Sequence, residues 1–173
     1  MQERVHSKEL QAFNSSDFRT ALGTFATGVT VITTAGATDA YGMTANAFSA
    51  VSLDPPLILV CVRSESQGCE CIRQNGAFAV NILTAEQEPI SRYFSSRDRA
   101  RGAESFSQIP HRTVVTGAPV LDGTTAYLDC SLHGSYSAGD HVIFIGEVRA
   151  LGFCADARPL LFYGGRYRSL QND

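Results

Sequence analysis

The chain contains no tryptophan and only two methionines, but the motifs it lacks say more. No GxGxxG follows a strand pattern and no GxxxxGK[ST] is present, so the common dinucleotide and P-loop folds are unsupported. There is no HExxH and no GxSxG elbow. The cysteines are Cys61, Cys69, Cys71, Cys130 and Cys154; Cys69-x-Cys71 is one residue short of the spacing of a redox or zinc pair. His6, His111, His133 and His141 are scattered, so no metal site is expected. Basic charge is not in excess: 14 Lys and Arg stand against 17 Asp and Glu, a net charge of −3. This argues against a nucleic-acid module. No apolar run approaches the roughly 20 residues that cross a bilayer. The first sixteen residues have no apolar core, so no secretory signal is expected there. An odd number of cysteines without a dense framework points to reduced thiols and a cytoplasmic setting. Cys61 and Cys130 lie in apolar runs and read as core residues rather than nucleophiles. An enzyme with none of these motifs must draw its chemistry from a bound cofactor.

What is present is a core-forming length of 173 residues, 44% of them hydrophobic, enough for one domain. The pattern centres on Gly42 to Val62, GMTANAFSAVSLDPPLILVCV, uncharged up to Val62 apart from Asp54. Met43, Ala45, Ala47, Val51 and Leu53 share one parity; Thr44, Asn46, Phe48 and Ser52 share the other. Period two places the two sets on opposite faces of a strand. Ser49 interrupts the apolar parity and suggests a bulge or bend. Asp54-Pro55-Pro56 ends the strand, since proline donates nothing to a ladder. Leu57 to Val62 then reads as a strand buried on both faces. The small and hydroxylated residues of the central stretch would let a flat ligand lie close to the backbone. They also fit a strand with a half-polar outer face.

Residues 1–15 read as a loosely held segment ahead of a single domain over residues 16–173. Ser16 suits an N-cap and Asp17 the first turn. Phe18, Ala21, Leu22 and Phe25 follow helical spacing, and Gly28 stands where a C-cap glycine belongs. Val29 to Thr34 is rich in β-branched residues and predicts a strand. Ser64 and Gln67 suggest a capping box for a short helix to about Arg73, stopped by Asn75-Gly76. FAVNIL (78–83) predicts a strand. Thr84 and Gln87 suggest a second capping box, with Ile90, Tyr93 and Phe94 as the apolar face of the helix that follows. Ser95 to Ser107 is polar, with Arg97, Arg99 and Arg101 close together. It reads first as a solvated loop, and otherwise as a mobile flap carrying charge for a phosphate. Val114 to Leu121 is ambiguous, broken by Gly117 and Pro119. Ala126 to Leu132 and His141 to Leu151 predict strands paired through a turn at Ser137 to Asp140. Strands joined by turns rather than crossover helices predict a mainly antiparallel barrel with helical insertions.

Five segments taken together carry a family resemblance: FRTALGTFATGVTVIT (18–33), GMTANAFSAVSLDPPLILVCV (42–62), FAVNIL (78–83), GDHVIFIGEV (139–148) and PLLFYGGRYRSL (159–170). They resemble the short-chain flavin reductases, the reductase partners of two-component flavin monooxygenases, from about Phe18 to Leu170. The resemblance implies a mainly β fold with short helices, the flavin-binding split β-barrel of Greek-key, antiparallel type. It also implies a homodimer that uses NADH or NADPH to reduce FAD or FMN, which then diffuses to a separate oxygenase. Hydride would pass from nicotinamide C4 to flavin N5, with no essential protein nucleophile.

Placed against that family, Thr44, Ala45, Asn46 and Ala47 would line the isoalloxazine edge, partly through backbone groups. Ser49, Ser52 and Leu53 would continue toward the ribityl chain and phosphate. Cys61, Arg63 and Ser66 would meet the flavin tail, with Thr27 and Gly28 as further contacts. Gly139, Asp140 and His141 match the family's GDH motif on the nicotinamide side, and Tyr167 is a second nicotinamide or lid contact. Taken alone, His141 reads as a polar residue opening a strand, and Tyr167 as an aromatic at the barrel end. The alternatives are a split-barrel oxidase of the pyridoxamine-phosphate-oxidase type, a non-catalytic flavin or haem carrier, and a structural dimer without ligand. The first would need a basic cluster for a substrate phosphate, which the central stretch lacks.

Overall fold

The computed structural model describes residues 13–36 and 39–170. In chain order these form α1 (Ser15–Gly23), β1 (Thr27–Gly28), β2 (Thr30–Ala35), β3 (Ala40–Ala45), β4 (Phe48–Leu53), β5 (Pro56–Arg63) and α2 (Gln67–Asn75). They continue with β6 (Ala77–Ile82), α3 (Glu88–Ser95), β7 (His111–Arg112), β8 (Val120–Leu121), β9 (Ala126–Ala138), β10 (His141–Phe153), β11 (Leu161–Tyr163) and β12 (Arg166–Arg168). Short 3-10 turns precede α3 at Ala85–Gln87 and follow it at Gly102–Phe106.

Seven strands form one antiparallel sheet in the order β3-β2-β6-β9-β10-β5-β4. Its two edge strands, β3 and β4, are joined by Asn46 and Ala47 alone. Three Cα steps reach at most about 11 Å. A flat sheet of this order would hold its edges roughly 29 Å apart, six strand spacings. The sheet therefore curls until its edges meet. No ladder joins β3 to β4 among the described residues, so the barrel is split along that seam. A second sheet, β1-β11-β12, lies beside it.

The inward faces supply the barrel core: Ile32, Val60, Val62, Phe78, Val80, Cys130, Val142 and Phe144, with Cys69 and Ile72 of α2. Gly146 has no side chain because a Cβ there would lie 2.6 Å from the Phe78 ring. A second cluster, Val29, Val31, Leu83, Phe94, Phe106, Leu121 and Leu160, packs outside the barrel. β2 thus serves both layers, Ile32 inward and Val31 outward. Gly42 lets α3 lie close to β3, since its Cβ would fall 2.4 Å from Phe94. Cys130 sits in the core, and burial, together with the adjacent Asp129 charge, pushes its thiol up to about 12.

Several expectations are corrected. The first helix is capped by Asn14, whose Oδ1 accepts from the Ser16 and Asp17 backbone, rather than by Ser16. It ends at Gly23, and Gly28 is a strand residue opposite Leu161 instead of a C-cap. Of the expected loose N-terminal segment, residues 1–12 lie outside the described residues. The second helix is capped by Ser66, not Ser64, because the Ser66 hydroxyl is the one that reaches the Cys69 N–H. The central stretch breaks at Asn46–Ala47, and its register shift falls between Ala50 and Ser52, past Ser49. β5 is buried on one face only: Ile58, Val60 and Val62 are enclosed while Leu57, Leu59 and Cys61 are half-buried. β9 runs on to Ala138, longer than its apolar pattern.

Two buried polar side chains tie the layers together. Asn81 donates to the Val31 carbonyl (3.0 Å) and the Thr33 hydroxyl (3.1 Å) and accepts from the Leu121 N–H (2.8 Å). Asp129 accepts from the Val115 and Thr116 N–H groups at 2.8 and 3.0 Å, holding the segment that precedes β8. Replacing Asn81 with leucine strands a buried donor and a buried acceptor, each costing about 1–3 kcal/mol. Asn81→Leu is expected to lower unfolding stability by about 3 kcal/mol in a urea titration. A loss below about 1 kcal/mol would show that the outer layer is held by apolar packing alone.

Candidate functional site

The seam is where this fold leaves backbone near the surface outside any ladder. The Ala47 carbonyl accepts from Cys61 N–H (3.0 Å) and the Asn46 carbonyl from Phe48 N–H (3.0 Å). Asn46 Nδ2 donates to Thr27 Oγ1 at 3.2 Å, bringing the end of β1 against the seam. Thr27, Gly28, Ala45, Asn46 and Ala47 are thereby gathered in one place, with short side chains throughout. Thr44 is beside them, but its hydroxyl donates to the Ser91 carbonyl of α3 at 2.6 Å. Its side chain is engaged in holding α3 to β3.

The rest of the predicted flavin set divides. Ser49 follows Phe48 at the seam end of β4, its hydroxyl turned to the Ala50 carbonyl. Ser52 and Leu53 pair with Leu57 and Pro56 beside the Asp54-Pro55 turn, whereas Cys61 and Arg63 stand at the open end of the same hairpin. Ser52 lies four residues from Phe48, roughly 13 Å of extended strand, and donates to Asp54 O. One chain does not bring Ser52 and Leu53 to the tail residues. The cause is the hairpin, which sends the two ends of β4 in opposite directions.

At the open end, β10 pairs with β5 so that His141 faces Arg63 and Ile143 faces Cys61. Gly139 takes a φ of 61° in the two-residue turn between Ala138 and His141, a position that suits glycine. Both the N–H and the hydroxyl of Ser64 donate to the Asp140 carbonyl (3.0 and 3.1 Å). Ser66 Oγ donates to Arg63 O (2.8 Å) while capping α2. Arg63, Ser66, Gly139, Asp140 and His141 therefore form one cluster. Burial pushes the Cys61 thiol up, which disfavours the thiolate a nucleophile would need.

Tyr167 sits elsewhere, in the sheet that β1 joins. Its hydroxyl bonds Ser91 Oγ (2.8 Å), Arg92 lies 4.8 Å over its ring, and Phe162 meets it edge-on. Through Phe162, which pairs with Thr27, it belongs to the Thr27–Asn46 side of the site. Ser91 was not singled out from sequence, although a fully buried serine three residues before Phe94, on the apolar face of α3, was a visible irregularity. Among the described residues no group of His, Cys, Asp and Glu could hold a metal ion, and no helix is long and apolar enough to cross a membrane.

Residues 22–171 match the flavin reductase like domain, and the chain belongs to that family. It is 39% identical to the reductase subunit HsaB of a flavin-dependent monooxygenase from Rhodococcus jostii, over 94% of this chain and 82% of that protein. It is 41% identical to an NADH-dependent flavin reductase of a Rhodococcus species, over 88% and 85%. The structure of the Streptomyces globisporus NADH:FAD oxidoreductase SgcE6 in complex with NAD and FAD fragments superposes with a TM-score of 0.85 at 37% identity, covering 91% of this chain and 93% of that one.

The Asp140 carboxyl is held below the ordinary aspartate range, first by the hydrogen bond from the His141 ring (2.7 Å), then by the His141 charge, and least by Arg63. Stability linked to this group is present above the ordinary aspartate value and is lost as pH falls through the lowered one. In His141→Ala the Asp140 titration, followed by carboxyl NMR, is expected to move back up toward the ordinary value. An unmoved midpoint would assign the effect to Arg63 instead.

Proposed function

We propose that this chain is an NADH:flavin oxidoreductase that reduces FAD or FMN and supplies the reduced flavin to a separate flavin-dependent monooxygenase. One observation carries the reading: a seam of exposed backbone lined by small side chains, in a chain of the flavin reductase like family. The residues present fit the cofactor. A flat ring can approach the Ala45–Ala47 backbone because the side chains there are short, and Asn46 and Thr27 offer hydrogen-bonding groups at its edge. Arg63 and Ser66, at the start of α2, suit the anionic tail. The GDH turn presents His141, oriented by Asp140, to a nicotinamide; Tyr167, fastened by Ser91 and Arg92, closes the Thr27 side.

When bound, nicotinamide supplies hydride from C4 and flavin accepts it at N5. The chain's own residues bind, orient and exclude water; none has to form a covalent bond to the substrate. Residues 16–173 act as one reductase domain, working in the cytoplasm where its thiols stay reduced. The test is NADH oxidation with FAD, FMN and riboflavin in turn, repeated with NADPH. In His141→Ala the KM for NADH is expected to rise about tenfold, or about 1.4 kcal/mol, with flavin affinity and melting temperature little changed. A destabilised variant with normal NADH response would move the nicotinamide site to Tyr167. Flavin binding without NADH turnover would favour the carrier reading.

The same proposal includes a homodimer with its flavin pockets at or near the interface. α1 buries none of its residues, leaving Phe18 and Leu22 exposed, and Phe25 just beyond it is exposed too. Leu53 is 94% exposed and Phe153 77% exposed. Exposed apolar surface on this scale marks an interface. Sedimentation equilibrium is expected to give the dimer mass at micromolar concentration, and Leu53→Asp to shift it toward monomer. A wild-type monomer with full activity would rule the dimer out.

A further inference from the structure

The small sheet β1-β11-β12 is too slight to hold its own position. β12 pairs with β11 over three residues and β1 with β11 over two, and pairings this short are not stable alone. Among the described residues, two side-chain hydrogen bonds fasten its strands to the rest of the chain. One joins Asn46 to Thr27 at the seam. The other joins Tyr167 of β12 to Ser91 of α3, with 2.8 Å between the two hydroxyls and 76 residues between them in sequence.

Ser91 is fully buried and shares the enclosed side of α3 with Phe94. A serine in a helix commonly returns its hydroxyl to the carbonyl one turn back; this one reaches out of the helix to β12. Its backbone carbonyl accepts from the Thr44 hydroxyl at 2.6 Å, two residues from Asn46 on the seam. One buried residue thus touches the small sheet through its side chain and the seam strand through its backbone. The next residue, Arg92, is ion-paired to Glu88 at 2.7 Å and stands 4.8 Å over the Tyr167 ring, while Phe162 meets the ring edge-on at 5.5 Å. Tyr167 is held at its hydroxyl, at one face and at one edge. The face and edge contacts tolerate sliding of the ring. The hydrogen bond, which weakens steeply with angle, fixes where the phenol points. The contacts close a circuit from Asn46 through Thr27, Phe162, Tyr167, Ser91 and Thr44 back along β3.

We propose that Ser91 is a positioning residue for the reductase reaction, setting the orientation in which Tyr167 meets the nicotinamide, a role that rests on the reading of Tyr167 as a nicotinamide contact. Ser91 is enclosed and touches neither nicotinamide nor flavin; it acts through Tyr167.

The test uses Ser91→Ala, Tyr167→Phe and the double variant, with steady-state kinetics at varied NADH, flavin dissociation constants from flavin fluorescence, and melting curves. Each single variant is expected to raise the KM for NADH about fivefold, the loss of one hydrogen bond, with kcat and flavin affinity within about twofold of wild type. The double variant is expected to be no worse than either single one, because both remove the same bond. A second measurement needs no turnover. In protein labelled with carbon-13 at the tyrosine Cζ, free of flavin and NADH, the Tyr167 signal is identified among the six tyrosines by its loss in Tyr167→Phe. It is expected to move in Ser91→Ala. A lowered melting temperature with an unchanged KM for NADH would make Ser91 merely structural and overturn the proposal. Additive effects in the double variant, an unmoved Tyr167 signal, or a rise in the flavin dissociation constant matching that in KM would overturn it too. Should Ser91→Ala fail to fold, Tyr167→Phe decides, and a normal KM for NADH in that variant overturns the proposal. Active wild type with unaffected variants removes the positioning role and keeps the reductase. Wild type that oxidises no NADH with any flavin removes both.

Discussion

The rest of the molecule depends on the shortness of one connection. Asn46 and Ala47 join strands that lie at opposite edges of a seven-stranded sheet. A link of about 11 Å cannot cross a flat sheet, so the sheet closes on itself and its interior fills with buried side chains from β2, β5, β6, β9, β10 and α2, flanked by partly buried ones from β3 and β4. No ladder joins β3 to β4 among the described residues, so closure stops short of complete. Packing and a ligand-accessible backbone thus have a common origin. Chain economy makes the barrel, and the residues that make it are the ones left open along the seam.

Around that seam the structure assigns its polar side chains to distinct tasks. Thr44, Ser91 and Tyr167 bond to one another's elements and hold α3 and β12 against β3. Asn81 and Asp129 do the equivalent work deeper in the fold, where an unpaired group would be costly. Asn46, Arg63 and His141 lie at the surface to different degrees, Asn46 bonded to Thr27 and His141 to Asp140. A site whose walls are fixed by buried hydrogen bonds and whose contacts come from short side chains and backbone suits a reaction in which orientation supplies most of the catalysis.

Much of the fold was legible in the chain. β2 and β6 lie where runs such as VTVIT and FAVNIL predicted them, because β-branched and aromatic runs seldom have another stable use. The hairpin from β9 to β10 follows from Gly139-Asp140. The misplaced features have local causes. Ser64 and Ser66 are both competent caps, and the choice turned on where the β5 ladder ended, at Arg63 opposite His141. The run Leu57 to Val62 looked doubly buried because a strand with one enclosed and one half-buried apolar face has the same composition as one enclosed on both.

The amino-acid order determined, without help from the tertiary structure, the strand content, the family and the small-residue character of the central stretch. Each of these depends on neighbours along the chain or on motifs that can be compared as strings. Only the tertiary structure decided which of those residues stand together. Asn46 meets Thr27, and Arg63 meets His141, across sequence separations that no period records. Ser52 and Leu53, a few residues from Asn46, are carried away by a hairpin. Arg97, Arg99 and Arg101, which read as a solvated loop, are folded over β3 because one guanidinium finds the Gly42 carbonyl and the Tyr41 ring. The physical reason is the same in each case: strand register and loop docking are set by long-range hydrogen bonds and packing, and these arise only when the sheet has closed.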